Sequence, residues 1–393
     1  MLTGISGNVL ILGLVSFLTD VSSEMIYPLL PLFLTTVLGA GPAFLGVIEG
    51  VAESTAALLK LASGIISDRV RSRKGLVLAG YGISSLARPL VAAATAPVAV
   101  LAIRFADRVG KGIRTSPRDA LIADSTEPSL RGTAFGFHRS MDHAGALVGP
   151  LVATALLTWY VTDVRTVFWL AAIPGILSVL LIASRVREVG HRQASDGTFL
   201  RLVPSPALRR YLFVIVTFTL GNSSDAFLLL RANQLGVSPA RIPLLWAFFH
   251  MVKMLASTPC GALSDRIGRR GMIVAGWVIY ALSYLGFALA ESEAACWLLF
   301  AVYGLFYGMT EGVEKALVAD IVAPAERGGA FGWYHCAVGV AALPASLLFG
   351  LVWERAGQAA AFALGAGLAA VAAVLLLLFV KPAPPALVPA REG

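Results

Sequence analysis

The segment Gly64-Ile-Ile-Ser-Asp68-Arg69 returns later in the chain as Gly261-Ala-Leu-Ser-Asp265-Arg266, displaced by 197 positions. The segment Ala120-Leu-Ile-Ala-Asp124 likewise returns as Ala316-Leu-Val-Ala-Asp320, displaced by 196 positions. Chance similarity between two apolar stretches would not place glycine, aspartate and arginine in one register. The chain therefore contains one unit that occurs twice.

Two further matches extend this repeat towards both ends of the unit. Arg131-Gly-Thr-Ala-Phe-Gly136 returns as Arg327-Gly-Gly-Ala-Phe-Gly332, again displaced by 196 positions. Near the start of each unit, Ser22-Ser23-Glu24 resembles Ser223-Ser224-Asp225 once a short insertion in the first unit is allowed. The shared register predicts that both units fold in the same way.

The composition of the chain indicates that both units lie in lipid. Of the 393 residues, 57% are hydrophobic and only 14% are charged, and the mean hydropathy is +0.79. A water-soluble globular protein has a more polar composition than this. The net charge of +8 would suit a nucleic-acid partner, but the basic residues border apolar segments, where they set membrane orientation instead. We therefore expect membrane lipid as a partner and no nucleic acid.

Apolar segments of about 20 residues, long enough to cross a bilayer, recur along the chain. The predicted spans are residues 8–36, 43–66, 75–95, 98–123, 132–158, 165–184, 211–235, 241–263, 272–290, 295–320, 329–353 and 359–380. Strand-like alternation is missing, which excludes a transmembrane barrel. The expected fold class is an all-α integral membrane protein, with twelve transmembrane helices in two pseudo-symmetric six-helix bundles related by an axis along the membrane normal.

Polar segments divide the chain into four parts. We expect an N-terminal six-helix bundle over residues 1–184, a cytoplasmic linker over 185–210, a C-terminal six-helix bundle over 211–380 and a Pro-rich cytoplasmic tail over 381–393. Lys and Arg are concentrated in alternate loops, and the positive-inside rule places those loops and both termini in the cytoplasm. The expected location is a bacterial-type cytoplasmic (inner) membrane.

The loop between the eighth and ninth predicted helices carries a complete family signature. Gly261, Asp265, Arg266, Gly268 and Arg269 spell Gly-x-x-x-Asp-Arg-x-Gly-Arg. This spacing resembles the loop signature of the major facilitator superfamily, and the resemblance covers essentially the whole chain. It implies a transporter that works by alternating access, in which such loops latch the two halves together in the outward-facing state. The latch candidates are Gly64, Asp68, Arg69, Asp124, Gly261, Asp265, Arg266 and Asp320.

Two shorter motifs resemble other elements of that family. Arg108-Val-Gly-Lys111-Gly112 on the fourth predicted helix is similar to the family's Arg-x-x-Gln-Gly motif, with lysine in place of glutamine. Gly145-Ala-Leu-Val-Gly149-Pro150 on the fifth is similar to an element that accompanies antiport in the family, although its downstream glycine pair is absent. Gly-x-x-x-Gly is also a common helix-packing pattern, so both interpretations stay open.

Charged residues inside the spans indicate the transport pathway, because an ion in hydrocarbon costs roughly 3 kcal/mol or more unless it faces a cavity or a partner. The candidates for proton coupling and transport are Asp20, Glu24, Glu53, Arg108, Lys111, Asp142 and Asp225. The candidates for lining the cavity or contacting the substrate are Tyr27, Glu49, Arg104, Arg139, His143, Asn222, His250, Lys253, Tyr307, Glu311, Glu314 and His335. For Arg118 and Asp119, contact with lipid headgroups or loops explains the charge equally well.

These charges suggest a coupling mechanism. Burial favours the neutral form of a carboxyl group and an approaching arginine favours the ionised form, so protonation can depend on which side the cavity faces. We therefore expect a secondary active transporter that exports a small organic solute by proton antiport. The alternative is a proton symporter that imports an anionic nutrient or a metal chelate such as a siderophore, which the basic face of the fourth helix favours.

Other function classes lack a sequence signal. The histidines do not have the spacing of a metal site, and no nucleophile motif accompanies them. Cys260, Cys296 and Cys336 lie in or beside apolar segments and suggest neither a disulfide framework nor a metal cluster. We expect no enzymatic activity, no cofactor and no metal, and a protein that acts as a monomer.

Overall fold

The regular elements of the computed structural model are all helical within the residues that it describes. These are 5–30, 33–39, 42–70, 72–160, 163–190, 204–223, 225–238 and 241–380. The side chains of residues 35, 36, 42–54, 226 and 243 lie outside the description. The first half contains α1 (Gly7–Glu24), α2 (Pro42–Ser67), α3 (Arg73–Ala87), α4 (Pro97–Asp124), α5 (Arg131–Trp159), α6a (Val164–Leu170) and α6b (Ala172–Arg185). The second half contains α7a (Pro206–Gly221), α7b (Asp225–Gln234), α8 (Ile242–Ile267), α9 (Arg269–Leu289), α10 (Glu293–Ile321), α11 (Arg327–Ala356) and α12 (Gln358–Phe379).

The twelve predicted spans are confirmed, but four of them are not continuous α-helices. The third ends in a 3-10 helix, Arg88–Ala93, and the sixth is divided at Ala171. The first and the seventh are interrupted near their middle. The first continues beyond Glu24 as a one-turn 3-10 helix, Tyr27–Leu29, and a π-helical turn, Phe33–Val37. Pro28 has no amide hydrogen to continue an α-helix there. The seventh is interrupted between α7a and α7b. In both halves, the interruption lies beside a predicted proton-coupling carboxylate, Glu24 or Asp225.

Serine side chains start several of the helices. Ser72 accepts a hydrogen bond from the amide of Gly75 at 3.0 Å, and Ser292 accepts one from the amide of Ala295 at 3.2 Å. Ser205 does the same for α7a, which continues with Pro206 at its first position. Such caps satisfy amides that have no partner inside the helix, and they fix where a helix begins.

The same set of helix contacts occurs in both halves. In the first half, α1 packs on α5 and α6b, α4 packs on α2 and α3, and α3 packs on α6b. In the second half, α7a packs on α11 and α12, α10 packs on α8 and α9, and α9 packs on α12. These contacts correspond one to one when each helix number is raised by six. The sequence repeat is therefore a structural repeat.

The two halves meet mainly through α5 against α8 and α2 against α11. Glycines allow these backbones to touch. A Cβ atom on Gly261 would overlap the carbonyl oxygen of Gly132, and one on Gly64 would overlap that of Gly328. All four glycines lie near the loops that join α2 to α3 and α8 to α9. We call this end of the bundle, which carries those loops, the basic end.

Large apolar side chains point outward from both halves. Leu86, Leu289 and Leu378 are each more than 70% exposed, as expected for side chains that face lipid. Eight of the described helical segments are long and apolar enough by themselves to cross a membrane. α4 has the length but carries many charges. Its polar face is therefore placed inside the bundle rather than against lipid.

The predicted linker is described only at its start and its end. Glu188 accepts hydrogen bonds from Ser72 Oγ at 2.7 Å and from the amide of Arg73 at 3.1 Å. The side chain of Asn8 pairs with the backbone of Arg187 through two hydrogen bonds of 2.8 Å. The first residues of the linker are thus bound to the first half. Residues 191–203 and the predicted tail, 381–393, lie outside the described residues.

Gly261→Ala should weaken the contact between the halves at the basic end, because the new methyl group overlaps the backbone of α5. Overpacking of this kind costs about 1–3 kcal/mol. The ratio of molecules closed at the basic end to molecules open there would fall roughly 5- to 150-fold. Spin labels on the exposed residues Glu127 and Arg266 would report the separation by electron paramagnetic resonance. Gly271→Ala is the control, since a Cβ there meets nothing within 4 Å. An unchanged distance distribution for Gly261→Ala would contradict the prediction.

Candidate functional site

Asp68, in the loop beyond α2, binds the first amides of α11 in the opposite half. Its carboxylate accepts hydrogen bonds from the amide of Gly328 at 2.8 Å and from that of Gly329 at 2.7 Å. Arg73, at the start of α3, pairs with the same carboxylate at 2.8 Å. The first amides of a helix lack partners within the helix, and the helix dipole favours negative charge there. A carboxylate of the first half therefore caps a helix of the second.

Asp265 makes the equivalent contact in the opposite direction. It accepts hydrogen bonds from the amides of Gly132 at 2.9 Å and Thr133 at 2.8 Å, at the start of α5. Arg269 pairs with Asp265 and also reaches Asp320, at 3.2 Å. The repeat of the sequence thus becomes a pair of reciprocal caps, one from each half.

A second ion pair lies beside each cap. Asp124 is bound by Arg73 of its own half and by Arg327 of the other half, the latter at 2.5 Å. In the repeat, Arg131 of the first half pairs with Asp320 of the second at 2.5 Å. These side chains are at most 12% exposed. Ion pairs screened from water in this way are stronger than surface pairs, provided that both partners stay in place.

The arginines of this interface differ from the latch candidates Arg69 and Arg266, although Arg269 belongs to the same loop signature. Arg69 and Arg266, which directly follow the motif aspartates, have exposed side chains. The guanidinium groups that bind the aspartates belong to Arg73 and Arg269. Successive residues of a helix point about 100° apart, so Arg69 and Arg266 point away from the aspartates that precede them. The next helix starts on the same side as the aspartate, which places Arg73 and Arg269 within reach of it. Sequence spacing alone does not distinguish these arginines.

Burial raises the pKa of Asp68 to about 6, from an ordinary value of 3.8. The positive charge of Arg73 and the hydrogen bonds from Gly328 and Gly329 oppose this shift. Asp68 lies beyond the end of α2, in the loop. Its proton affinity therefore depends on whether α11 covers it, because desolvation is the largest cause of the shift.

The dipeptides that precede the repeated Ala-Leu-x-Ala-Asp segments have inverted charges. Arg118-Asp119 stands in the first half and Glu314-Lys315 in the second, displaced by the same 196 positions. The structure brings the two dipeptides together between the halves. Lys315 Nζ lies 2.8 Å from an Asp119 oxygen, and these side chains are 2% and 0% exposed.

Asp119 is bound by side chains from three helices, two of them cationic. Besides Lys315 of α10, its carboxylate contacts Arg118 of its own helix at 2.9 Å and His335 of α11 at 2.8 Å. Contact of Arg118 and Asp119 with headgroups or loops is therefore the wrong interpretation. The twist of α4 turns both side chains into the bundle. Asp119 and Lys315 were not candidates from the sequence, and their only signal was the charge inversion.

A second ionic cluster joins α5 to α10. Glu311 binds His143 at 2.9 Å and lies 3.9 Å from Arg139. Arg139 also pairs with Asp142 at 2.8 Å, and Ser16 of α1 donates to Asp142. The candidates Arg139, Asp142 and His143 thus lie together on one face of α5. It binds a carboxylate from the opposite half, which the sequence did not reveal.

Asp20 and Glu24 lie on α1 where the Gly-x-x-x-Gly segment of α5 packs. A Cβ on Gly145 would lie 2.8 Å from the Cβ of Asp20, and one on Gly149 would lie 2.7 Å from that of Glu24. Lys111 of α4 is close enough to interact electrostatically with both carboxylates. The two glycines therefore hold α5 directly against the predicted proton-coupling face of α1.

The first half contains a third ionic cluster around Asp107 of α4. Arg88 pairs with Asp107 at 2.8 Å and donates to the carbonyl oxygen of Thr19 at 2.9 Å. Arg104 lies 3.7 Å from Asp107 and places its guanidinium group over the ring of Tyr27 at 5.3 Å. Arg88, Arg104 and Asp107 border a small pocket. Arg88 was not a candidate, because it is an isolated charge in its predicted span.

The second half places an aromatic cluster around Asp225. Tyr303 and Tyr307 of α10 donate to its carboxylate at 2.8 and 3.3 Å. The ammonium group of Lys253 lies 3.5 Å from the ring centre of Tyr307 and 4.0 Å from that of Phe249. The predicted candidates Asp225, Lys253 and Tyr307 are therefore neighbours.

Glu314 accepts hydrogen bonds from two neutral aromatic side chains. Trp277 donates to it at 3.2 Å and Tyr334 at 2.7 Å. It is 8% exposed, and Thr310, one turn earlier on α10, is 1% exposed. Glu314 is therefore enclosed by α9, α10 and α11 rather than placed on an open face.

The remaining candidates are described only in part. Glu49 and Glu53 lie on α2, but their side chains are outside the described residues. Arg108 is half-buried on α4. Asn222 ends α7a, and the His250 ring lies 5.5 Å from the ring of His143 across the interface. The roles predicted for these residues stay predictions.

Two repeated six-helix bundles with ionic groups enclosed between them define a membrane transporter of the two-domain class that works by alternating access. The model of the Major Facilitator Superfamily matches residues 12–231 and 211–393. An uncharacterised MFS-type transporter of Methanocaldococcus jannaschii is 34% identical over 382 residues, 95% of each chain. This chain belongs to the Major Facilitator Superfamily.

More distant similarities agree with this assignment. The multidrug resistance protein MdtH of Edwardsiella ictaluri is 23% identical over 319 residues, which are 79% of this chain and 77% of that protein. The structure of the MFS proton:xylose symporter XylE bound to 6-bromo-6-deoxy-D-glucose has a TM-score of 0.79 at 17% identity. The match covers 97% of this chain and 96% of that one. At this identity the similarity to XylE concerns the fold alone.

Asp119→Asn should destabilise the protein by about 3–5 kcal/mol, because buried Lys315 loses its counter-charge. Lys315→Met should cost less, since Asp119 keeps Arg118 and His335. The thermal unfolding midpoint of the purified protein measures both effects. Glu354→Gln, an exposed carboxylate at the end of α11, is the control. Equal midpoints for wild type and Asp119→Asn would contradict the assignment.

Lowering the pH from 7 to 5 should favour the closed basic end through Asp68. This group has a pKa of about 6 when α11 covers it, and a pKa near the ordinary value of an aspartate when water reaches it. Its contribution to closure is therefore complete below the lower value and lost as the pH rises through 6. Spin labels at Glu127 and Arg266 would show the shift. Asp68→Asn should abolish it, and Asp265→Asn should retain it.

Proposed function

We propose that this transporter exports a small organic solute in exchange for protons, with its basic end on the cytoplasmic side. The reciprocal caps of Asp68 and Asp265 carry this proposal. They join the halves at the basic end, where the positive-inside rule places the cytoplasm. Under this assignment, the structure represents the outward-facing state.

In this proposal, the two caps form a latch that opens once in each cycle. Each aspartate gives up two amide hydrogen bonds when the halves separate, and the adjacent interface ion pairs separate with them. Hydrogen bonds to a charged group contribute about 1.5–3 kcal/mol each. Opening therefore requires new contacts at the opposite end or a change of charge inside the bundle. Protonation supplies such a change.

Asp20, Glu24 and Asp225 are the proposed proton carriers. Glu24 and Asp225 stand at equivalent places in the two halves, beside the interruptions of the first and seventh spans. Lys111 lies near Asp20 and Glu24, so a movement of α4 relative to α1 changes how strongly each carboxylate holds a proton. The close packing of Gly145 and Gly149 would transmit a movement of α1 to α5.

A sequence motif and a relative bear on the direction of transport. The Gly145-x-x-x-Gly149-Pro150 segment and the similarity to a multidrug resistance protein favour export. The alternative is proton symport of an anionic nutrient or a metal chelate, and it is favoured by the basic residues of α4, including Arg104 and Arg108. Antiport moves protons in the direction opposite to the solute, and symport moves them in the same direction.

Glu24→Gln and Asp225→Asn should each abolish proton movement that depends on the solute, while leaving the protein folded. The measurement uses reconstituted vesicles with a pH-sensitive dye, and a solute first selected by thermal stabilisation of the purified protein. Glu291→Gln is the control, because Glu291 is an exposed carboxylate in a loop. Normal coupling in both interior variants would refute their role. Proton movement in the direction of the solute would refute antiport.

A further inference from the structure

The ammonium group of Lys253 lies against two aromatic rings in the interior of the second half. It is 3.5 Å from the ring centre of Tyr307 and 4.0 Å from that of Phe249. Lys253 itself is 5% exposed. Aromatic faces carry partial negative charge and attract cations at such distances, most strongly when water is excluded. These rings therefore form a cation-binding pocket that a side chain of the protein occupies.

The walls of this pocket are held in place by further contacts. Tyr303 and Tyr307 both donate to Asp225, and the Tyr303 ring stacks on that of Phe249 at 5.3 Å between centres. Trp246 packs against Phe249 at 5.3 Å. The pocket is thus built before any ligand arrives, which reduces the cost of binding one.

The positive charge of Lys253 is balanced by aromatic rings and by charged groups beyond salt-bridge distance, rather than by a direct ion pair. Within the described part of the chain, no carboxylate pairs with its ammonium group at salt-bridge distance, and the surrounding charges are Asp225, Glu311 and Arg139. A lysine ammonium is compact and strongly hydrated, so its burial is costly. Its stem is flexible, and the Glu311 side chain is 24% exposed. Lys253 can therefore leave the pocket for a partly hydrated carboxylate.

We propose that the pocket formed by Phe249, Tyr303, Tyr307 and Asp225 binds the ammonium group of an organic cation, and that Lys253 occupies it when no substrate is present. This rests on the proposed function, whose substrate class it specifies. An alkylated ammonium group is larger and more weakly hydrated than that of lysine, and it fills an aromatic pocket better. Asp225 supplies the opposite charge.

An anionic substrate would use the same residues in the opposite way. It would need Lys253 as its positive partner, and removal of the lysine would abolish its binding. For an organic cation, the lysine is a competitor. Removal of Lys253 should then strengthen binding, because the pocket is vacant and Asp225 is less compensated. The sign of the effect of one substitution therefore separates the two classes.

Isothermal titration of the purified protein can measure this sign with two probes of the same frame and opposite charge, benzyltrimethylammonium and phenylacetate. We expect wild type to prefer the cation. Lys253→Ala should bind benzyltrimethylammonium about tenfold more tightly, in line with one cation–π site freed of its occupant. Lys253→Arg keeps a cation in the pocket and should show no gain.

Substitutions of the wall test the pocket itself. Tyr307→Leu should weaken binding of benzyltrimethylammonium several-fold. Tyr307→Phe keeps the aromatic face but loses the hydrogen bond to Asp225, and it should weaken binding less than Tyr307→Leu does. Thermal unfolding identifies any variant that does not fold, and the Lys253 pair tests the proposal without altering the wall.

Three results would overturn the proposal. These are loss of phenylacetate binding in Lys253→Ala, equal binding of the cation by Tyr307→Leu and wild type, or no binding of the cation by wild type and Lys253→Ala. Binding in detergent requires neither a proton gradient nor a direction of transport. If the vesicle assay shows no proton-coupled export, the binding result therefore still stands. If the binding proposal fails, export is still tested by the vesicle assay.

Discussion

The carboxylate of each half that caps a helix of the other half is the interaction on which the remaining structure depends. Asp68 and Asp265 reach the starts of α11 and α5 only because glycines let the backbones of the two halves touch. The caps in turn bring the ion pairs of Asp124 and Asp320 out of water, where they gain strength. One interface thus combines close packing with charges that must be paired or exposed together, so its closed and open forms are distinct.

A duplicated protein meets an electrostatic difficulty at its own symmetry axis, because equivalent residues of like charge would face each other. The inverted dipeptides Arg118-Asp119 and Glu314-Lys315 remove this difficulty. Asp119 meets Lys315 where an unchanged repeat would bring two carboxylates together in a medium of low dielectric. The pair also distinguishes the correct register of the halves from others, since any shift would leave a buried charge without its partner.

The two halves have diverged in the chemistry of their interiors. The first half surrounds its carboxylates with arginine and lysine, as around Asp107, and the second surrounds Asp225 with tyrosines. Ion pairs hold charge firmly, whereas aromatic faces attract a cation without fixing its orientation. In the proposed mechanism, the ionic half responds to protons, and the aromatic half, through Asp225, responds to both protons and the solute. The caps at the basic end would then couple the two responses, since neither half can move without breaking contacts of both.

The membrane fold, the twelve spans and the duplication follow from the sequence, because hydrophobic length and a repeated register are local properties of the chain. The sequence also located most charges of the interior, since any ion within a span requires a partner. The sequence did not reveal which residues those partners are. Arg73 rather than Arg69 binds Asp68, and Asp119 faces Lys315 rather than lipid headgroups. Asp119 and Lys315 are 196 positions apart, and the cap of Asp68 on Gly328 joins residues 260 positions apart. Only the packing of α2 on α11 and of α5 on α8 brings such residues together.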